Sequence, residues 1–342
     1  MITKEKYGFT TLGNKEVEKY TLEKGPFVVS VITLGGTVVS IKTPNRAGEM
    51  GEITLGYGTL EEYEHNTTFF GTLVGRFANR IKGGKFSIDG KDYQVPLNDN
   101  GINSLHGGPE GFHSKVWQAS TAEDGEKASL VLTYLSRDGE MGYPGNLDVK
   151  VTYNLYKEGK LEIDYLATTD KTTPVSLTNH AYFNLAGHGD ILNHTLKLYC
   201  DAYLPVDENL IVSGALRSVK ETPFDFTQEK KIGTDIEQVG GYDHCYVLTD
   251  QSNTLKKCAY VKEEVSGRTM AVYTTLPGVQ LYSGNFLNGT DKSPEGLPYE
   301  KHAGFCLETQ HFPDAMNHPH FPNCLLKPQE VYSHKTVFEF NV

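Results

Sequence analysis

"GKFSIDGKDYQVPL", residues 84–97, decides how this chain is to be read. Asp89-Gly90 sits between two short runs in which apolar and polar residues alternate, Phe86 and Ile88 before it, Tyr93 and Val95 after it. A two-residue hairpin turn needs positive φ at its central positions, which Asp-Gly tolerates, so this is the strongest antiparallel signal in the sequence. The same alternation extends in both directions. "FVVSVITLGGTVVSIKTPN" (27–45) reads as two strands joined at Gly35-Gly36. "LEIDYLATT" (161–169), "HTLKLYCDAYLPV" (194–206), "TMAVYTTLPGVQLYSGNF" (269–286), "AGFCLETQHF" (303–312) and "KTVFEFNV" (335–342) continue it. Helical periodicity is scarce; "TLEEYE" (59–64) predicts a turn or two. No Pro/Ser linker, low-complexity tract or shift in composition divides the chain. The expected fold is all-β, one large antiparallel β-sandwich over residues 1–342, with two smaller β domains as the alternative.

At 342 residues the chain buries enough surface to need no disulfide or metal staple. Its formal charge of −11 argues against nucleic acid or an acidic membrane as a partner. Five cysteines, an odd number without a CxxC pair, suit a reduced cytoplasmic protein. No apolar run approaches membrane-spanning length, and the N-terminus has no signal-peptide core.

The stretch "PVSLTNHAYFNLAGHGD" (174–190) carries the first chemical clue. As a strand it points Val175, Leu177, Asn179, Ala181 and Phe183 one way and Ser176, Thr178, His180, Tyr182 and Asn184 the other. The second face has no Lys or Glu, so it suits a polyhydroxylated ligand better than bulk water, and its one imidazole, His180, is either a satisfied structural residue or a catalytic group. "NSLHGG" (103–108) places His106 before two glycines, either in an ordinary turn or on a loop that a ligand approaches closely. In "GFCLETQHFPDA" (304–315), Cys306, Glu308 and Gln310 share one strand face. Glu308 is then either a surface carboxylate or a pocket group whose pKa burial raises to a usable value. Arg76, Asn79 and Arg80, Asp243, Gln280 and Tyr282 complete the inventory of a sugar site, planar polar groups with aromatic rings. Neither a phosphate loop, nor GxGxxG, nor GxSxG is present. His311, His318 and His320 invite a metal reading, but Pro313 and Pro319 interrupt them and no HExxH exists. No metal is expected.

Seven segments then occur in order: "FGTLVGRFANRI", "NSLHGG", "TPVSLTNHAYFNLAG", "AYLPVDENLI", "GYDHCYVL", "TTLPGVQLYSGNFL" and "GFCLETQHFPDAMNHPHFP". Together they resemble the aldose 1-epimerase family across nearly the whole chain, and look closest to the animal cytosolic type. The resemblance implies a single-domain β-supersandwich and a cofactor-free enzyme that interconverts sugar anomers. It implies His180 as general acid, Glu308 as general base and His106 as a second histidine at the substrate. Asn79, Arg80, Tyr182, Asp243 and Gln280 match the family's sugar-binding positions. Val212 and Phe312 stand where the family often has Pro and Trp, and Phe312 is expected to touch substrate preference slightly. The implied partner is a small aldose, galactose or glucose, bound by a monomer. A non-catalytic sugar-binding protein and a hexose-6-phosphate epimerase are the rival readings; the second calls for more Arg or Lys around the site than Arg76 and Arg80.

Overall fold

The structure is a computed structural model that describes residues Met1–Val342. Its regular secondary structure is almost wholly antiparallel strand. The largest sheet has nine strands, in the order Gln118–Glu123, Lys127–Ser136, Leu147–Tyr156, Lys160–Thr169, Tyr332–Asn341, Thr269–Thr274, Lys256–Lys262, Thr195–Leu198 and Lys230–Lys231. Its central strands obey the period-two rule: Leu147, Val149, Val151, Tyr153 and Leu155 point inward from one, Leu161, Ile163, Tyr165 and Ala167 from the next. A five-stranded N-terminal sheet runs in sequence order from Ile2–Phe9 to Met50–Glu52. Its Tyr20, Leu22, Val29 and Val31 share one buried cluster with Leu130, Leu132 and Val151 of the large sheet. Two sheets stack face to face, and the apolar interlayer is the main core.

The Asp89-Gly90 hairpin forms as expected. Lys85–Ile88 pairs with Lys91–Gln94, and both turn residues have positive φ, 50° and 79°. "TLEEYE" makes a single helix, Leu60–Glu64, capped by Thr59 and Glu62 in a reciprocal box.

Two runs that continue the alternation are each divided between sheets. "HTLKLYCDAYLPV" supplies Thr195–Leu198 to the nine-stranded sheet and Cys200–Tyr203 to a second five-stranded sheet. "TMAVYTTLPGVQLYSGNF" supplies Thr269–Thr274 to the first and Gly278–Tyr282 to the second, breaking around Pro277. The order in this second sheet is Arg217–Ser218, Cys200–Tyr203, Asp243–Leu248, Gly278–Tyr282 and Cys306–Gln310. Its inward face, with Tyr246, Leu248, Val279, Leu281 and Leu307, belongs to the main core. Its other face carries Asp243, Cys245, Gln280, Tyr282, Cys306, Glu308 and Gln310, because Cys245 pairs with Gln280 and Gln280 with Glu308 in register. That polar face is the floor of the site.

Candidate active site

Two further connections build walls on this floor. Arg80–Ile81 pairs with Ser104–Leu105, bringing the "ANRI" and "SLHGG" motifs side by side. The backbone then locks them, as His106 N–H donates to Asn79 O at 3.1 Å and Asn79 N–H donates to His106 Nδ1 at 3.2 Å. His106 Nδ1 is thereby committed as an acceptor, so the neutral ring carries its proton on Nε2. Thr178–Asn179 pairs with Leu73–Val74, and Gly71 N–H donates to His180 O at 3.0 Å. His180 therefore hangs over the floor from a separate segment.

The cavity so enclosed measures about 140 Å³ and is lined by His106, His180, Glu308, Asp243, Asn79 and Arg80 together with Tyr182, Tyr282 and Phe69. A space of roughly 150 Å³ holds a six-membered ring such as benzene. A larger groove of about 490 Å³ lies between Lys197–Asp201 and Leu248–Lys257, but none of the candidate site residues lines it.

His180 Nε2 stands 3.6 Å from Glu308 Oε2. Both side chains are buried, and that Glu308 oxygen has no hydrogen-bond partner. Burial raises the Glu308 carboxyl well above its ordinary value; neighbouring Asp243 adds to this and Arg80 opposes it. Burial lowers His180 to about 4, and holds His106 well below the usual imidazole range, helped by His180 and Arg80. Burial thus disfavours the charged form of both partners, because a neutral pair with one proton between them costs less to bury than two ions. Around them Arg80 Nε binds Asp99 Oδ2 at 2.8 Å, leaving both its Nη groups without a protein partner. Gln280 is not among the lining residues; its Nε2 donates to Asp243 Oδ1 at 2.6 Å and holds that carboxylate at the pocket. The Tyr182 ring stacks on His180 with centroids 5.2 Å apart, while its hydroxyl donates to Thr68 O.

The neutral face of 174–184 divides on inspection. His180 and Tyr182 line the cavity, whereas Ser176 accepts the His311 N–H and Asn184 bonds the carbonyls of His188, Gly189 and Ala303. Those two satisfy buried backbone rather than face a sugar. Arg76 also lies outside the site: its buried guanidinium donates to Ser136 Oγ and to the carbonyls of Ser136, Arg137 and Pro144. Phe312 and Val212 sit in a separate apolar cluster with Phe321, so the expected influence of Phe312 on substrate has no direct contact behind it.

Three participants carried no local signal. Phe69 lies 4.8 Å from His106 and 5.9 Å from His180, ring to ring, with φ of +60°. Asn79 and His106 share that left-handed conformation, at 66° and 52°, so three lining residues hold backbone angles uncommon without glycine. Asp99 fixes Arg80. Cys306 Sγ, singled out in the sequence only as a neighbour of Glu308, is 3.6 Å from His180 Nδ1 and orients that ring.

Comparisons with known proteins place the chain in a family. A family model described as aldose 1-epimerase matches residues 18–339. Galactose mutarotase from Bos taurus is 46% identical over 345 residues, covering 100% of this chain and 99% of its own. Aldose 1-epimerase from Escherichia coli is 39% identical over 322 residues, covering 92% of each. Among solved structures, an aldose epimerase homologue from C. elegans superposes with a TM-score of 0.86 at 30% identity, covering 93% of this chain and 96% of that one. With matches of this extent and a pocket assembled from the motifs that carry the likeness, the chain belongs to the aldose 1-epimerase family.

Proposed function

We propose that the protein interconverts the α and β anomers of galactose, glucose and related aldohexoses by opening and reclosing the ring hemiacetal. The observation that carries this reading is the His180 Nε2 to Glu308 Oε2 separation of 3.6 Å across a cavity that fits one sugar ring. Opening the ring requires that the anomeric O–H lose a proton while the ring oxygen gains one. Transfer of the shared proton from Glu308 to His180 converts the resting neutral pair into a carboxylate base and an imidazolium acid, with no net uptake from solvent. Glu308 then takes the anomeric proton and His180 delivers its own to the ring oxygen. Rotation about C1–C2 presents the other carbonyl face, and the reverse transfers close the ring. His106, through Nε2–H, and the Nη groups of Arg80 hold hydroxyls and support charge on the opening oxygen. Asp243, held by Gln280, accepts from a further hydroxyl, and Asn79 and Tyr182 position the two histidines.

A neutral sugar is favoured over a hexose 6-phosphate. Asp243 and Glu308 line the cavity, Arg80 already pairs with Asp99, and the Arg76 guanidinium is occupied elsewhere, so a dianion finds no free cationic clamp. The presence of both His180 and Glu308 favours catalysis over simple binding. The mammalian relatives are galactose mutarotases, which favours galactose among the aldoses. The reading includes a single domain over residues 1–342, supported by a core cluster that runs from Tyr20 to Phe340, and a monomer in the cytoplasm, a reducing compartment that five free cysteines suit.

Polarimetry of freshly dissolved α-galactose tests the reading. Purified protein should speed the approach to equilibrium rotation in proportion to its concentration. In D₂O the equilibrated sugar should carry no deuterium on carbon, since only O–H protons exchange. Deuterium at C1 or C2, or a ketose product, would require a different mechanism.

A further inference from the structure

Each histidine of the pocket is held from behind at Nδ1, and the two contacts differ in kind. His106 Nδ1 meets the Asn79 N–H at 3.2 Å. An amide N–H only donates, so this nitrogen accepts and the ring proton lies on Nε2. His180 Nδ1 meets Cys306 Sγ at 3.6 Å, with both side chains buried. Thiol sulfur can accept a hydrogen bond as well as give one, so here the second ring nitrogen decides the direction.

That nitrogen, His180 Nε2, faces Glu308 Oε2 at 3.6 Å, and the oxygen has no hydrogen-bond partner of its own. Passing one proton from Glu308 to His180 across this gap needs a lone pair on Nε2. An Nε2–H would leave the imidazole nothing to receive the proton with, so a neutral His180 competent for the transfer carries its proton on Nδ1. Cys306 Sγ is the side-chain atom placed to accept it. Burial pushes the Cys306 thiol well above its ordinary value, aided by Glu308 and Asp243, so the sulfur stays neutral. It therefore fixes the ring without adding a negative charge behind it. A carboxylate in that place would hold the imidazolium proton back, whereas a thiol leaves it free to go to the ring oxygen.

We propose that Cys306 sets the tautomer of His180: its sulfur accepts the Nδ1–H, so that His180 presents a lone pair from Nε2 where His106 presents a donor. Cys306 is thus a positioning residue, acting through the imidazole rather than on the sugar. The inference rests on the proton transfer proposed above, but its readout is separate from turnover. The test takes the full-length protein with nitrogen-15 in its histidine rings, at neutral pH and free of sugar. Two-bond nitrogen–proton correlation spectra read which ring nitrogen carries the proton, with His106→Asn and His180→Asn assigning the signals. The expected result is Nδ1–H for His180 and Nε2–H for His106. Cys306→Ala should spread His180 over both tautomers and lower kcat about fivefold, with the KM for galactose changed by less than about twofold. Cys306→Ser, whose hydroxyl accepts in the same place, should restore the Nδ1–H tautomer and most of kcat. Cys324→Ser, a buried thiol in the separate cluster around Phe312, should leave both as in the parent. Near-ultraviolet circular dichroism checks the folding of each variant. His180 found as Nε2–H in the parent, or a tautomer that Cys306→Ala leaves unchanged, would overturn the proposal at any rate of turnover. A parent that never speeds mutarotation would instead count against the enzymatic reading, and the tautomer spectra would still decide the role of Cys306.

Discussion

Glu308 and His180 owe their proposed roles to burial acting in opposite directions on an acid and a base. Amide and carboxamide substitutes keep size and hydrogen bonding but cannot carry the proton. Glu308→Gln and His180→Asn should therefore each remove most turnover while changing sugar affinity by less than about tenfold, or ~1.4 kcal/mol. Steady-state polarimetry beside calorimetric sugar binding checks this, and near-normal kcat in either variant would contradict the assignment. The pH profile follows from the same pair. Activity needs one proton shared between the two groups; a second proton stops the base. With His180 lowered to about 4 and Glu308 raised, that second protonation comes on the acid side, near pH 4. The expected kcat/KM profile is flat through neutrality and falls toward pH 4. An acid limb centred near 6.5, where an unperturbed imidazole titrates, would mean that the pair is not buried together.

At the scale of elements, the site depends on how separate segments are tied to one another. Gly71 is one such tie: its N–H donates to His180 O at 3.0 Å, and its carbonyl accepts from Asn179 Nδ2 at 2.8 Å. Its φ is +67°, and a Cβ there would run into the carbonyl oxygen of Val38. Gly71→Ala combines backbone strain with a main-chain clash and should cost more than about 2 kcal/mol by chemical denaturation. Gly90, also at positive φ but with open space around it, is the control, since Gly90→Ala meets the strain alone. Equal losses at the two positions would show that packing between the His180 segment and the N-terminal sheet matters less than the contacts suggest.

Across the whole molecule, burial of histidine dominates the response to acid. His106, His113, His180, His194, His244, His311 and His334 are all lowered from 6.5, chiefly by desolvation, most of them to about 4. Between pH 6.5 and 4 the unfolded chain binds more protons at these positions than the folded one, so stability rises with pH there and is lost on acidification. Glu308, Asp243 and Asp314, raised by burial, act the other way, but they are fewer. The urea midpoint should hold above pH 6.5 and fall steadily from there toward pH 4. A midpoint constant from pH 7 to 5 would contradict this account.

Local chemistry in the sequence determined the class of structure. Alternation along Leu147–Tyr156 and Lys160–Thr169, and the backbone freedom of Asp89-Gly90, act over a few residues and are visible without a fold. The candidate site residues were legible only through the likeness of their motifs to the aldose 1-epimerase family; read locally, Glu308 suited an ordinary surface carboxylate and His106 an ordinary turn, because burial is not visible in a short window. Tertiary structure decided everything that depends on distant partners. Only strand register sets Gln280 beside Glu308, and only the break at Pro277 moves one run of sequence between two sheets. Ser176 and Asn184 looked like His180 and Tyr182 until their backbone partners, up to 135 residues away, were known. Phe69, Asp99 and the orienting contact of Cys306 act through neighbours that no window along the chain contains. The pKa shifts come last in this order, since desolvation is a property of the closed pocket and exists only once the sheets have packed.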